Sequence, residues 1–213
     1  MYKRQHERVL VLGGDHGITY AVAEGLHRTR RLGGLAYVDV HWDLRPWADS
    51  HSSGSSFRRI LDRDLLPAEH LAPIGIQRPR DPAALARSRF DELRAFAEGR
   101  GVAATSLEEA TGRTLAQVLR ERLGALPAPR HLSIDIDAID ADEAPGVSAP
   151  GPGRFRRVDV VSAAARAAPL AASADIVETS PPLDPSGRTV EAAADVAQAI
   201  LEAWTRPPPA SPH

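Results

Sequence analysis

Three short stretches concentrate carboxylates and imidazoles: Gly13-Gly14-Asp15-His16, Asp39-Val40-His41-Trp42-Asp43 and Ser133-Ile134-Asp135-Ile136-Asp137. Each closes an apolar, β-branched run, so each belongs at a strand end. Side chains alternate faces along a strand. Asp39, His41 and Asp43, at i, i+2 and i+4, therefore point one way if the strand persists, and so do Asp135 and Asp137. Two such strands side by side bring four carboxylates and an imidazole together, and His16 can join from a neighbouring strand end. Left bare, those carboxylates repel one another and some must stay protonated. A pair of divalent cations removes the conflict. Carboxylates shared between two ions, with one imidazole to each, suit Mn2+ or another metal that takes oxygen and nitrogen ligands, zinc included. A water between two such ions loses a proton near neutral pH and becomes a nucleophile. A lone Asp after a buried strand is more often a turn former, but three such stretches at one sheet edge favour a metal centre. The isolated His27, His70 and His131 read as surface or satisfied packing groups.

The elements that must position these residues alternate. Strands are expected at Arg8–Leu12, Leu35–Val40, Leu71–Ile76, Val102–Thr105, His131–Ile136 and Ala174–Glu178. Most are continuous apolar runs, as suits parallel strands covered on both faces. Helices are expected at Ile18–Arg30, Pro82–Glu98, Leu107–Leu123, Arg157–Ala168 and Arg188–Trp204, with Thr105 or Ser106 as the cap before Glu108 and Glu109. Such alternation implies crossover connections, a mostly parallel sheet and a three-layer α/β/α fold. Leu44–Ser56, rich in Ser, Gly and Pro, follows a strand end, where parallel sheets place their ligand loops. Residues 1–205 are expected to form one domain, and residues 206–213 a disordered, proline-rich tail.

Composition narrows the function. The chain has 213 residues, 26 Lys+Arg against 28 Asp+Glu, and no cysteine. Thiol nucleophiles, disulfides, iron–sulfur clusters and Cys-ligated zinc are excluded. A formal net charge of −2 argues against nucleic acid as a partner. No run of 18 apolar residues predicts a membrane span, and the N-terminus lacks the apolar stretch of a signal peptide, which predicts a cytoplasmic protein. Lys3 is the only lysine, so Schiff-base chemistry is not expected.

At these motifs the sequence resembles the ureohydrolase superfamily, the arginase and agmatinase group. Asp39-Val40-His41-Trp42-Asp43 is similar to its Asp-Ala-His-x-Asp motif, with Val40 in place of Ala. The stretch from Ser133 through Asp140 is similar to its Ser-x-Asp-x-Asp-x-x-Asp motif, with Ala141 where Pro is frequent. Asp175-Ile176-Val177-Glu178 opens a segment similar to the family's Asp-x-x-Glu-x-x-Pro. Within the superfamily, Asp43-Leu44-Arg45, the Ser-Gly-x-x-Phe-Arg pattern from Ser53 to Arg58, and Ala144–Pro150 resemble formimidoylglutamases. Family members carry further strand–helix units ahead of the Gly-Gly-Asp-His motif, so this chain reads as an N-terminally shortened relative with an exposed sheet edge.

The resemblance implies an arginase-like fold and two Mn2+ ions per chain. His16, Asp39, Asp43 and Asp135 would surround one ion, and Asp39, His41, Asp135 and Asp137 the other. The implied activity is hydrolysis of N-formimidoyl-L-glutamate to L-glutamate and formamide, as in histidine breakdown. Asp137 or a metal-bound water would pass a proton to the leaving amine, with His51 as a candidate shuttle, and Glu178 would hold the amidine. Arg45, Ser53 and Arg58 would bind the substrate's carboxylates. The expected partners are a small-molecule substrate and further copies of the chain in a homo-oligomer. The rivals are an agmatinase, arginase or guanidino-acid hydrolase releasing urea, a shortened non-catalytic homologue, and an unrelated binuclear phosphoesterase.

Overall fold

The computed structural model describes residues 8–47, 52–79 and 84–205. The strands are β1 (Val9–Leu12), β2 (Gly34–Val38), β3 (Leu71–Ile76), β4 (Thr105–Ser106), β5 (Arg130–Asp135) and β6 (Ser173–Val177). The α-helices are α1 (Ile18–Arg28), α2 (Ser56–Asp62), α3 (Ala84–Arg100), α4 (Leu107–Gly112), α5 (Leu115–Ala125), α6 (Arg157–Ala167) and α7 (Arg188–Thr205). The six strands form one sheet in the order β1-β6-β5-β2-β3-β4, and every pairing is parallel. This is the expected α/β architecture.

Strand alternation divides the interior into two cores. Leu35 and Tyr37 of β2 pack with Tyr20, Ala23, Phe57, Ile60 and Ala97, on the side of α1, α2 and α3. Ala36 and Val38 face the other way, onto residues of α4 to α7 such as Leu119, Val160, Ala164 and Val196. Helices thus cover both faces, and β2, β3 and β6 are buried throughout. β1 lies at one edge of the sheet, with Val9 and Leu12 exposed.

The strand before α4 is shorter than its apolar run predicts. It is limited to Thr105–Ser106, while Val102 is buried in the loop ahead of it. The single helix expected over Leu107–Leu123 is divided, because Thr114 takes a left-handed φ of 64° and caps a new helix by accepting a hydrogen bond from Gln117 N. A β-branched residue rarely adopts that conformation, and nothing in the helical spacing announces it. Ser106 does cap α4, in a reciprocal box with Glu109. The Ser-rich stretch after Leu44 runs into a further helix, α2, whose Phe57, Ile60 and Leu61 are buried. The Pro-rich tail lies outside the described residues. Among those described, no helix is long and apolar enough to cross a membrane.

One glycine sets the approach of β3 to the end of β2. Gly75 has φ +100°, and a Cβ there would lie 2.9 Å from the Asp39 carbonyl oxygen and 2.7 Å from the Phe155 ring. The β3–β4 register shifts at this point. Gly75→Ala is expected to lower unfolding stability by about 1–3 kcal/mol, through backbone strain and displacement of Asp39. Urea denaturation checks this, and a variant as stable as the parent chain refutes it.

Candidate metal centre

Asp39 directly follows β2 in the middle of the sheet. Its N–H donates to Ile74 O at 3.0 Å, which ties it to β3, and its side chain is fully buried. Extended strand geometry does not continue to Asp43. Asp39 Oδ1 instead accepts the His41 N–H at 2.6 Å, a local turn that aspartate favours. Asp43 then takes a left-handed φ of 45°, and its carbonyl accepts N–H bonds from Phe57 and Arg58 at the start of α2. Next door, Asp135 repeats the device by accepting the Asp137 N–H at 2.7 Å. In both stretches one carboxylate oxygen fixes the turn and the other faces the centre.

His16 reaches the same point from the turn between β1 and α1. Its Nδ1 lies 3.3 Å from Asp39 Oδ2, 3.1 Å from Asp43 Oδ2 and 3.1 Å from Asp135 Oδ2. The rings of Phe57 and Tyr37 wall it edge-on, at 5.0 and 6.1 Å between centroids. His41 Nδ1 sits 3.3 Å from Asp39 Oδ1 and 3.1 Å from Asp137 Oδ2. All six residues expected to ligate metal therefore converge.

The geometry fits divalent cations. Ligand atoms at about 2.1 Å from an octahedral ion stand about 3 Å apart along its edges, close to the separations found here. His16, Asp39 and Asp43 offer atoms within 4.8 Å of one another, and so do Asp39, His41 and Asp137. Asp39 belongs to both triads. His16 Nδ1, Asp39 Oδ2 and Asp137 Oδ1 are buried and make no well-aligned hydrogen bond although charged groups lie within 3.4 Å of each, an arrangement costly for polar groups that have no further role.

The protein alone balances this charge with protons. Burial works against the charged form of His16, but hydrogen bonds to Asp135, Asp39 and Asp43 outweigh it and hold the ring well above its ordinary pKa of 6.5. His41 is pushed up to about 11, because Asp137 and Asp39 overcome its desolvation. Burial and the neighbouring Asp39 charge raise Asp43 to about 6. Burial, Asp137 and Asp39 lift Asp135 well above the usual carboxylate range. Asp39 resists its own burial and stays below that range, since both imidazoles bond to it.

The other expected site residues divide. Glu178, with a left-handed φ of 64°, turns back onto the centre's backbone. Its Oε1 accepts the His16 N–H at 2.8 Å and its Oε2 accepts the Ser148 hydroxyl at 2.7 Å. Arg45 lines a cavity of about 370 Å³ together with His41, Asp43, Gln77, Arg89 and Phe90. Its side chain passes close over Gly54, where an added Cβ would lie 3.0 Å from Arg45 Cδ and 3.1 Å from Nε. Ser53 sits beside the same turn: the Ser56 hydroxyl, 2.8 Å from His16 O, is 3.1 Å from Ser53 O. Arg58 engages Asp62 at 2.8 Å and stacks on Phe96 at 3.7 Å, rather than meeting the acidic groups. The aliphatic and aromatic surroundings of α2 hold it there, which composition alone does not reveal. His51 lies outside the described residues.

One residue at the centre carries no signal in the sequence. Arg154, from a Gly-Pro loop, donates to the Asp137 carbonyl and lies 3.4 Å from Asp137 Oδ1.

A three-layer α/β fold with a buried carboxylate–imidazole centre, at the C-terminal edge of a parallel sheet, defines the class of this protein. The profile of the arginase family matches residues 2–202, and the chain belongs to that family. It is 29% identical to formimidoylglutamase from Bacillus subtilis (strain 168) over 88% of its own length and 58% of the relative's. The crystal structure of that enzyme superposes with a TM-score of 0.80 at 27% identity, covering 92% of this chain and 60% of the other. Guanidinobutyrase from Pseudomonas aeruginosa is 30% identical over 84% of this chain and 55% of the relative. The structure of Trypanosoma cruzi formiminoglutamase with Mn2+, 20% identical, shares the fold at a TM-score of 0.81 over 94% of this chain and 66% of that one. The chain thus spans little more than half the length of these sequence relatives.

Proposed function

We propose that this chain is a binuclear-metal hydrolase of linear amidine C–N bonds, and that its substrate is N-formimidoyl-L-glutamate, cleaved with water to L-glutamate and formamide. The observation that carries this reading is the pair of acid–imidazole triads sharing Asp39. His16, Asp39, Asp43 and Asp135 would hold one Mn2+, and Asp39, His41, Asp135 and Asp137 the other. Bound there, two such cations acidify water and polarise the trigonal amidine carbon.

The chain's own groups do the rest. Glu178 accepts N–H bonds from the cationic amidine through the lone pairs that His16 N and Ser148 leave free, a charge-assisted contact. Asp137 takes up the proton that the attacking water gives up and passes it to the leaving amine. Arg45, on the wall of the cavity beside His41 and Asp43, binds a substrate carboxylate. Of the two arginines expected to bind carboxylate, Arg58 is engaged by Asp62 and Phe96, and Arg45 is the one on the cavity wall.

Likeness to a guanidinobutyrase favours a second reading, a guanidino-acid hydrolase releasing urea. A screen of formimidoylglutamate, guanidinobutyrate, arginine and agmatine with added Mn2+ decides between them. Formamide release from the first supports the proposal, and urea without formamide replaces it. Fewer than one tightly held ion per purified chain, with no turnover, identifies a non-catalytic homologue. Arg45→Ala is expected to raise KM for formimidoylglutamate about tenfold or more, the value of a lost charged hydrogen bond, with little change in agmatine hydrolysis if that activity is detectable. An unchanged KM removes Arg45 from the site.

A further inference from the structure

The two metal positions are alike in their donors. Each takes one imidazole, the shared carboxylates Asp39 and Asp135, and one carboxylate of its own: Asp43 beside His16, Asp137 beside His41. The surroundings of those two private carboxylates differ. Asp43 Oδ2 meets His16 Nδ1 at 3.1 Å, and the described residues place no guanidinium within 4 Å of that carboxylate. Asp137 meets His41 Nδ1 at 3.1 Å through Oδ2. Its other oxygen, Oδ1, lies 3.4 Å from the Arg154 guanidinium.

Arg154 is built into this place. A parallel bridge between Ile139 and Phe155 ties its loop to the turn after β5, with the Phe155 N–H donating to Ala138 O at 3.0 Å and the Asp140 N–H to Phe155 O at 2.8 Å. Asp140 Oδ2 accepts the Gly153 N–H at 2.6 Å. The side chain then folds back over Gly151, where an added Cβ would stand 2.9 Å from Arg154 Nη2 and 3.0 Å from Nε. Arg154 donates to the Asp137 carbonyl, its side chain is only 7% exposed, and its Nε is buried without a hydrogen-bond partner. An arginine in a surface loop would satisfy that donor by turning to water, so its burial against Asp137 is a cost that packing does not explain. A guanidinium keeps its charge at any pH at which the chain is folded, and so stays beside Asp137 when an ion arrives. It draws on the charge of Asp137 and repels a cation there, with little water between them to screen the effect. Asp43 imposes no such charge on its own ion.

We propose that Arg154 is a positioning residue, acting through Asp137, that makes the two metal positions unequal: its fixed charge loosens the ion beside His41 and Asp137, which is the second to bind and the first to exchange, while the ion beside His16 and Asp43 is held tightly. The inference rests on the two-ion reading above.

The test is a calorimetric titration of metal-stripped protein with Mn2+, beside thermal melting of the same stripped samples. The unaltered chain is expected to bind in a tight and a weak step. Arg154→Gln, which removes the charge and keeps a donor, tightens the weak step by about 10- to 100-fold, the span over which groups just outside a metal's ligands act, and leaves the tight step within about twofold. Arg154→Lys, which keeps the charge, holds the weak step close to that of the unaltered chain. His41→Ala removes the weak step and spares the tight one, which assigns the weak ion to its position; loss of the tight step instead overturns the proposal. Two steps that stay as far apart in Arg154→Gln as in the unaltered chain attribute the gap to repulsion between the ions themselves, and also overturn it. So does weaker binding in both Arg154 variants together with a lowered melting temperature, the result for an arginine that merely holds its loop. Arg154→Ala gives the same comparison with Lys if the glutamine variant fails to fold. An unaltered chain that takes up no Mn2+ at all overturns the two-ion reading itself, and the role of Arg154 with it.

Discussion

Asp39→Asn is expected to abolish binding of the ion pair and to lower turnover by a factor of about a thousand or more, equivalent to about 4 kcal/mol of transition-state stabilisation. Asp39 is the one residue common to both triads, and it is completely buried. Its two oxygens point to different imidazoles, Oδ2 toward His16 and Oδ1 toward His41. An asparagine keeps the size and one acceptor. The amide oxygen can still take the His41 N–H and hold the turn, but an uncharged NH2 group then faces His16 Nδ1, Asp43 and Asp135. That group cannot ligate a cation, and the loss of charge weakens both positions at once. Asp135→Asn acts in the same direction from the neighbouring strand. The measurements are bound metal per chain after gel filtration and kcat with excess Mn2+, with circular dichroism to establish that the variant is folded. A folded Asp39→Asn chain that holds two ions and turns over near the parent rate excludes Asp39 from the centre.

The sheet and the acidic motifs were legible because their signals are local. β3 falls at its expected bounds, and the remaining interior strands lie within a residue or two of the apolar runs that mark them. The convergence of Asp39, His41 and Asp43 was also legible, but for an incomplete reason: a side-chain-to-backbone turn and a left-handed Asp43 gather them, where strand alternation alone was expected. What stayed hidden depends on packing across the chain. Helix α2 is encoded by Phe57, Ile60 and Leu61 behind a serine-rich stretch that reads as loop. Arg154 reaches Asp137 from 17 residues away through irregular backbone. His131 reads alone as satisfied packing and is indeed buried and paired. Its alternation with Ser133, Asp135 and Asp137 was the available signal that a buried strand has one polar side, and it distinguishes β5 from an ordinary parallel strand.

Uptake of Mn2+ is expected to release at least two protons per chain near pH 7.5, because both imidazoles must give up a proton before Nδ1 can bind an ion, and the raised Asp135 can only add to that count. In the metal-free protein His41 titrates at about 11, and His16 is also raised well above 6.5, so both rings carry protons at neutral pH and take the place of cations. The sign for stability follows from that direction. A histidine raised on folding contributes stability that is complete below 6.5 and is lost as pH rises through its folded value. Asp43, raised to about 6, likewise stabilises the fold at acid pH and ceases to do so as pH climbs from 3.8 through 6. Asp39, depressed on folding, works the other way and loses its contribution only in strong acid. The metal-free chain should therefore lose stability from these raised groups between about pH 4 and 11, and Mn2+ should restore it. The rise in melting temperature caused by Mn2+ is expected to be small at pH 5 and largest near pH 8, and the joint affinity for two ions to grow by about two decades per pH unit across neutrality. Calorimetry in buffers of different ionisation enthalpy counts the protons. Release of none, or a stabilisation by Mn2+ that is equal at both pH values, means that these imidazoles do not give way to metal. The carboxylates would then be neutralised by some other charge, for which Arg154 at Asp137 Oδ1 is the nearest candidate in the described structure.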